Sequence, residues 1–436
     1  MILRAGVAVL LLLPTAAFAQ GTPPGPFGGL FGRTPERVGK EYRVFEIRTS
    51  SSGQYEESLF DDAVPLDSRA ASGAIASVNV GGMYEQRTTR LNLRLRSSGT
   101  YQQYLQSPFN GGTSVETSAT ANFRVATRFG LDGSLTHLYT PYFQFYPSFP
   151  SWTPAGVLVP PSSPYVATVI ASHTYEAVGS FTSYYSKHSS LSASFQRRET
   201  RFSHRSDADL SMYGMRGLWS RQLNRDFRLK LGYGREQIHQ SALSDADFVH
   251  EFIDAGVDFE KPLSLSRRTT LGFTTQTSMI RRPGTGRQYR LDGRVMLNSW
   301  LSRTWLASIN AARATEFMPG FIEPLFSDNV GFSLMGLFSR RLELIASATG
   351  GKGVFGTDAS AFDNPRFTMA NSTVQLNVAV TRHFGLYGQH AFYYFQIPAG
   401  SSPVAPLDQL SRHTIVVGIT AWIPVFNQER GERDSR

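Results

Sequence analysis

The residues best equipped for chemistry in this chain are its arginines. Of 43 basic residues only Lys40, Lys187, Lys230, Lys261 and Lys352 are lysines, so 38 are arginines, set against 34 acidic residues. A guanidinium offers a rigid fork of donors that fits carboxylate or phosphate oxygens two at a time. Alternation with apolar residues puts Arg94, Arg96, Arg124, Arg198, Arg228, Lys230, Arg290 and Arg294 on the polar side of their segments. Glu116, Asp132, Asp254, Asp258, Glu260 and Asp292 fall on the same side. Such a surface is either a solvated, mixed-charge wall or a cationic track for anionic solutes or polymers. Both readings stay open.

A second group is aromatic. Residues 140–171 carry Tyr142, Phe143, Phe145, Tyr146, Phe149 and Trp152 among seven prolines. Proline restricts the backbone, so this segment can hold a shape without regular structure. It suits a pore constriction, a ledge where rings stack on sugar faces, or a cap that packs on itself.

Enzymatic chemistry is poorly supplied. The nine His are scattered singly, Cys is absent, and no H-E-x-x-H occurs. The run Gly350-Gly351-Lys352-Gly353 lacks the spacing and strand-to-helix setting of a phosphate-binding loop. His188-Ser189 falls in an expected turn, and His137 and His390 stand alone on expected strands as rim or lumen residues. No enzyme, no metal site and no cofactor is expected.

The elements that carry these residues follow from a period of two. Leu91-Asn92-Leu93-Arg94-Leu95-Arg96 is the clearest example, and Phe227-Arg228-Leu229-Lys230-Leu231 and Val374-Gln375-Leu376-Asn377-Val378 repeat it. On a helix that period would scatter apolar residues over every face; on a strand it puts them all on one. Leu91, Leu93, Leu95, Phe227, Leu229, Leu231, Leu291, Val295 and Leu297 are thereby assigned to lipid and the charged residues to a water-filled interior. A mean hydropathy of −0.22 excludes a bundle of membrane helices.

A short basic turn recurs as QRTTRL (86–91), TRFGL (127–131), SKHSSL (186–191), RQLNRDFRL (221–229), SRRTTL (266–271), LSRTWL (301–306), SRRLEL (339–344) and TRHFGL (381–386). The centres lie about 42 residues apart, the length of one hairpin of a transmembrane barrel with short turns at one end and longer Gly/Pro/Ser/Asp loops at the other. Eight hairpins give sixteen strands. A closing strand over 412–426 and a first strand over 42–49 raise the number to eighteen; if 42–49 is instead a periplasmic segment, the number falls to sixteen or a further strand lies elsewhere in the chain. Trp219, Trp300, Trp305 and Trp422 gather near the short turns, as an interfacial girdle or as a sugar-stacking rim.

The ends give the address. Arg4, the apolar run from Val7 to Leu13, and Ala17-Phe18-Ala19 form a signal peptide over residues 1–19. Residues 20–40 read as a flexible Pro/Gly-rich periplasmic arm, 41–426 as an all-β up-and-down antiparallel transmembrane barrel, and 427–436 as a polar periplasmic tail.

With its signal peptide, its Pro/Gly arm, its Ser/Arg-rich turns and its Cys-free composition, the chain resembles outer-membrane β-barrel proteins of this length from Gram-negative, notably acidobacterial-type, bacteria. These are similar in turn to barrel porins associated with exopolysaccharide export. The resemblance covers 41–426 and rests on architecture, with no fixed motif to carry a functional residue over. It implies an outer-membrane channel, a conduit for anionic solutes or exopolysaccharide. A surface-interaction or structural barrel is the alternative, and an outer-membrane lipid- or polysaccharide-modifying enzyme a weaker one. The implied partners are outer-membrane lipid and lipopolysaccharide, the barrel-assembly machinery and periplasmic chaperones, and exopolysaccharide with its export proteins. Nucleic acid is not expected.

Overall fold

The computed structural model describes residues 41–59, 73–105, 111–141, 170–203, 206–224, 226–241, 248–262, 269–281, 287–319, 321, 324–355, 366–396 and 409–429. Eighteen strands cover most of them. The first six are β1 (Tyr42–Leu59), β2 (Gly73–Arg87), β3 (Leu91–Tyr104), β4 (Gly112–Ala126), β5 (Phe129–Thr140) and β6 (Ser172–Tyr184). The next six are β7 (Ser189–Phe202), β8 (Leu210–Gln222), β9 (Phe227–Gln240), β10 (Phe248–Pro262), β11 (Thr269–Arg281) and β12 (Arg287–Trp300). The last are β13 (Trp305–Glu316), β14 (Leu325–Leu337), β15 (Leu342–Phe355), β16 (Arg366–Ala379), β17 (Phe384–Gln396) and β18 (Gln409–Glu429).

Each strand pairs antiparallel with its chain neighbours, and β1 pairs with both β2 and β18, so the sheet closes and has no edge. This is a closed, antiparallel, all-β barrel of eighteen strands. Residues 42–49 belong to the wall, which removes the sixteen-strand alternative, and β1 runs on to Leu59. The sequence hides that second half because, of its outward residues Ser51, Gly53 and Tyr55, only the last is large, so the apolar alternation is broken.

The short turns are built by the residue type that made them recur. Thr88 Oγ1 accepts the N–H of Leu91 at 2.9 Å, and Thr381 Oγ1 accepts that of Phe384 at 3.0 Å. Asn224 Oδ1 accepts the N–H of Phe227 at 2.9 Å. A hydroxyl or amide at the turn entry satisfies a backbone donor that the ladder leaves over, so hairpin geometry is encoded locally.

The register sorts side chains into two rows. Outward stand Leu91, Leu93, Leu95, Leu229, Leu291, Val295, Ile415, Val417 and Ile419, and Leu291 and Val417 are 61% and 65% exposed. A continuous apolar exterior is stable only in lipid, which makes this a transmembrane barrel. Inward stand small polar residues that bond across the ladder: Ser52 to Ser77 at 2.7 Å, Asn79 Nδ2 to Thr100 Oγ1 at 2.6 Å, Ser190 to Ser220 at 2.8 Å. This inner lattice accounts for the Ser/Thr-rich composition.

A ladder without edges resists detergent until heat opens it. Unboiled protein in dodecyl sulfate is therefore expected to migrate at a different apparent mass from boiled protein, and coincident bands would contradict closure.

Candidate functional site: a charged lumen crossed by a hairpin

The structure puts Arg94, Arg96, Arg124, Arg198, Arg228, Lys230, Arg290 and Arg294 on the inner row, and Asp258 with them. The side chains of Asp254 and Glu260 lie outside the described set, as do Tyr142, Phe143, Phe145, Tyr146, Phe149 and Trp152. Several of the inner cations meet carboxylates. Arg94 Nη2 lies 3.2 Å from Glu85, Lys230 Nζ lies 2.5 Å from Asp258, and Arg198 stands opposite Glu176. Four inner residues that the sequence reading did not single out form two more pairs, Arg48 with Glu46 and Arg412 with Glu56. The inner wall is thus of mixed charge, with ion pairs on β1–β3 and β18 and again on β9–β10.

Arg216 is a further inner cation that alternation did not reveal, because Gly214 and Gly217 interrupt the pattern around it. Its guanidinium lies 5.8 Å from the ring centre of Phe252 and donates to Gln276 Oε1 at 3.4 Å, so it reaches along the wall from β8 to β11.

Two rims carry aromatic side chains, and the girdle differs from the one expected. Trp219 and Trp305 are on the outer row near the short turns. Trp422 is on the inner row, and its Nε1 donates to Glu46 Oε2 at 2.8 Å. Even positions of β18 face inward, so nearness to a turn alone does not make a Trp a lipid anchor. At the opposite rim His137 is on the outer row, stacked on Tyr175 with centroids 4.7 Å apart, and His390 packs beside His413 at 5.7 Å.

The largest departure from a plain cylinder is the hairpin β13–β14. The ladder between β12 and β13 stops at Gly293 opposite Arg313, leaving Arg287–Asp292 without partners on that side. Beyond that point the hairpin turns into the lumen. Phe326 is in register with Thr315 on the outer row, yet it is buried in a cluster with Leu210, Met212, Ile238, Phe248, Ile280 and Phe317. The wall members of that cluster are inner residues of β8–β11. The outer face of the hairpin therefore packs against the inner face of the neighbouring strands β8–β11, and Arg290 sits 4.5 Å over the Phe326 ring.

The connection that follows completes the bridge. Phe317 packs on Phe248 and His250, both with centroids 5.7 Å away. Gln240 Nε2 donates to the Phe321 carbonyl at 2.7 Å, while the Phe321 ring stacks on Phe355 at 5.2 Å and 3°. Phe317, Met318 and Phe321 are all buried. One short apolar segment thus touches β9–β10 on one side and β15 on the other, five strands apart in the ring of eighteen, and lies inside that side of the barrel below its long-loop rim. Its sequence signal is the apolar run F-M-P-G-F-I-E-P-L-F (317–326), where the long connections other than the aromatic segment 140–171 are Gly-, Ser- and Asp-rich.

The barrel resembles several solved structures. OpdL of Pseudomonas aeruginosa aligns with a TM-score of 0.44 at 9% identity, covering 88% of this chain and 99% of that one. OccK11 (OpdR) of the same organism aligns at 0.43 and 12%, covering 94% of this chain and 100% of that one. The siderophore receptor PirA, again from that organism, aligns at 0.41 and 11%, covering 89% and 81%. No protein-family model and no curated protein matches the chain.

Proposed function

We propose that the protein is an outer-membrane channel for small polar solutes, narrowed by the β13–β14 hairpin. The observation that carries this reading is a closed ladder with an apolar exterior and an ion-paired interior, into which Phe317 and Phe321 project at one level. Arg198, Arg216 and Arg290 project from the inner wall around the hairpin, with Glu316 at the end of β13 within electrostatic range of Arg198. A solute carrying a carboxylate or phosphate would meet guanidinium forks there, while the interspersed acids leave room for zwitterions. Export of an exopolysaccharide needs a passage for a continuous polymer, and a segment that takes up part of the lumen favours small solutes instead.

Planar-bilayer recording tests the proposal. The reconstituted protein is expected to conduct, with reversal potentials in a salt gradient that favour anions. Arg198→Glu and Arg216→Glu are expected to move the preference toward cations, most clearly in dilute salt, because screening acts within about 8 Å at physiological ionic strength. Absence of conductance both with and without the hairpin would overturn the channel; cation preference in the unaltered protein would overturn the role given to the arginines.

A further inference from the structure

Where the hairpin leaves the wall it opens a notch on the outside of the barrel. This cavity has a volume of about 790 Å³. On one side it is lined by Leu271, Phe273, Leu291 and Val295, all on the outer row, with the inner-row Asp292 and Arg294 between them where β12 has lost its neighbour. On the other side stand Arg313, Asp328 and Lys352, which face one another across β13, β14 and β15 and also point outward. Glycine at 293 and 350 keeps the floor at backbone level.

Three charges on the lipid side of a barrel need an explanation. A charge there costs roughly 2–4 kcal/mol at the bilayer midplane and about 0–1 kcal/mol near the interface. Each of the three residues stands three positions from the long-loop end of its strand, which is the interfacial level. Arg313 neutralises Asp328 with two hydrogen bonds, Nε to Oδ1 at 2.6 Å and Nη2 to Oδ2 at 3.0 Å. Lys352 is opposite Asp328 in register and exposed, so the cluster keeps one positive charge at the mouth of an apolar cleft. Apolar surface on the membrane side and a cation at headgroup height are the complement of an anionic amphiphile.

We propose that this notch binds a membrane lipid with a phosphorylated headgroup, its phosphate held by Lys352 and Arg313 and an acyl chain lying over Leu271, Phe273, Leu291 and Val295. The same displacement that narrows the lumen creates the lipid site, because the notch exists only where β13–β14 has turned inward. The proposal rests on the barrel spanning a membrane and not on its conducting, so a failed conductance experiment leaves it standing.

The test is lipid phosphorus carried through purification in a mild nonionic detergent, with mass spectrometry to identify the lipid. The unaltered barrel is expected to retain a phosphorylated lipid. Lys352→Glu is expected to lower the retained phosphorus about tenfold, since each basic residue near a surface contributes to anionic-lipid attraction. Gly350→Leu is expected to do the same by filling the cleft; a Cβ there meets only the Met369 carbonyl, at 3.9 Å, so the wall itself is not strained. Arg235→Glu, an exposed outward cation on β9 away from the notch, is expected to leave retention unchanged. Equal phosphorus in all four proteins, or an equal loss in Arg235→Glu, would overturn the proposal. So would uptake of inorganic phosphate by delipidated barrel, which would make the site one for free anions. Unboiled gel mobility confirms that each variant is folded.

Discussion

Replacing residues 317–324 with a two-residue Asn-Gly turn is expected to raise single-channel conductance about twofold or more, the largest functional change that any one alteration of this protein should produce. The reason is geometric. Phe317 and Phe321 fill the lumen side of the wall between β10 and β15, packing on Phe248 and His250 at one end and on Phe355 at the other, so their removal widens the lumen at that level. Stability should fall as well. Loss of a buried Phe from a packed cluster costs about 3–5 kcal/mol, so the shortened barrel should open at a lower temperature. The two effects are separable because the ladder around β1 and β18 does not involve the hairpin, and unboiled mobility reports that ladder directly. Unchanged conductance in a barrel that still migrates as folded would mean that the current passes elsewhere and that the hairpin is only a brace.

How far this arrangement can be read from the chain depends on which physical signal each part leaves. The wall is legible because lipid on one side and water on the other force a period of two, as in Leu91 to Arg96, and because each short turn spends a hydroxyl or amide on its own backbone, as Thr88 and Thr381 do. The second half of β1 is not legible, since Ser51 and Gly53 take outward positions that carry no apolar signal. Nor is the inward turn of β13–β14. Its cause is tertiary: Phe326 keeps an outward register position and is buried all the same, because its strand has left the wall. The lipid-facing charges were within reach of the same arithmetic that assigned the lumen. Lys352 shares parity with Leu344, Ala346 and Ala348, all outward, so its phase already marks it as a charge on the wrong side, although the local glycine run invites a phosphate-loop comparison first.

The largest loss of stability expected from a single charged side chain lies at the seam. Arg412 on β18 and Glu56 on β1 form an ion pair whose side chains are 3% and 1% exposed, and Gln54 Nε2 donates to the same carboxylate at 2.8 Å. Breaking a buried pair from one side leaves an uncompensated charge and costs about 3–5 kcal/mol, whereas replacing both partners by apolar residues of similar volume is often neutral. Arg412→Met is therefore expected to lower sharply the temperature at which the folded gel band is lost, and Glu56→Met to do the same. The double variant should recover most of the difference. The position makes the effect a matter of closure as well as burial: β1 and β18 are the first and last strands, and beside their ladder Thr420 Oγ1 donates to the Thr49 carbonyl across 371 residues of chain. Non-local pairing of that kind must overcome a large loop-closure entropy before any contact offsets it, so refolding from urea into detergent should slow in either single variant. Single variants as heat-stable as the parent would show that water reaches the pair and that the seam is held by its backbone ladder alone. A double variant as labile as the singles would instead assign the pair a specific role in aligning the two strands, since charge burial could no longer account for the loss.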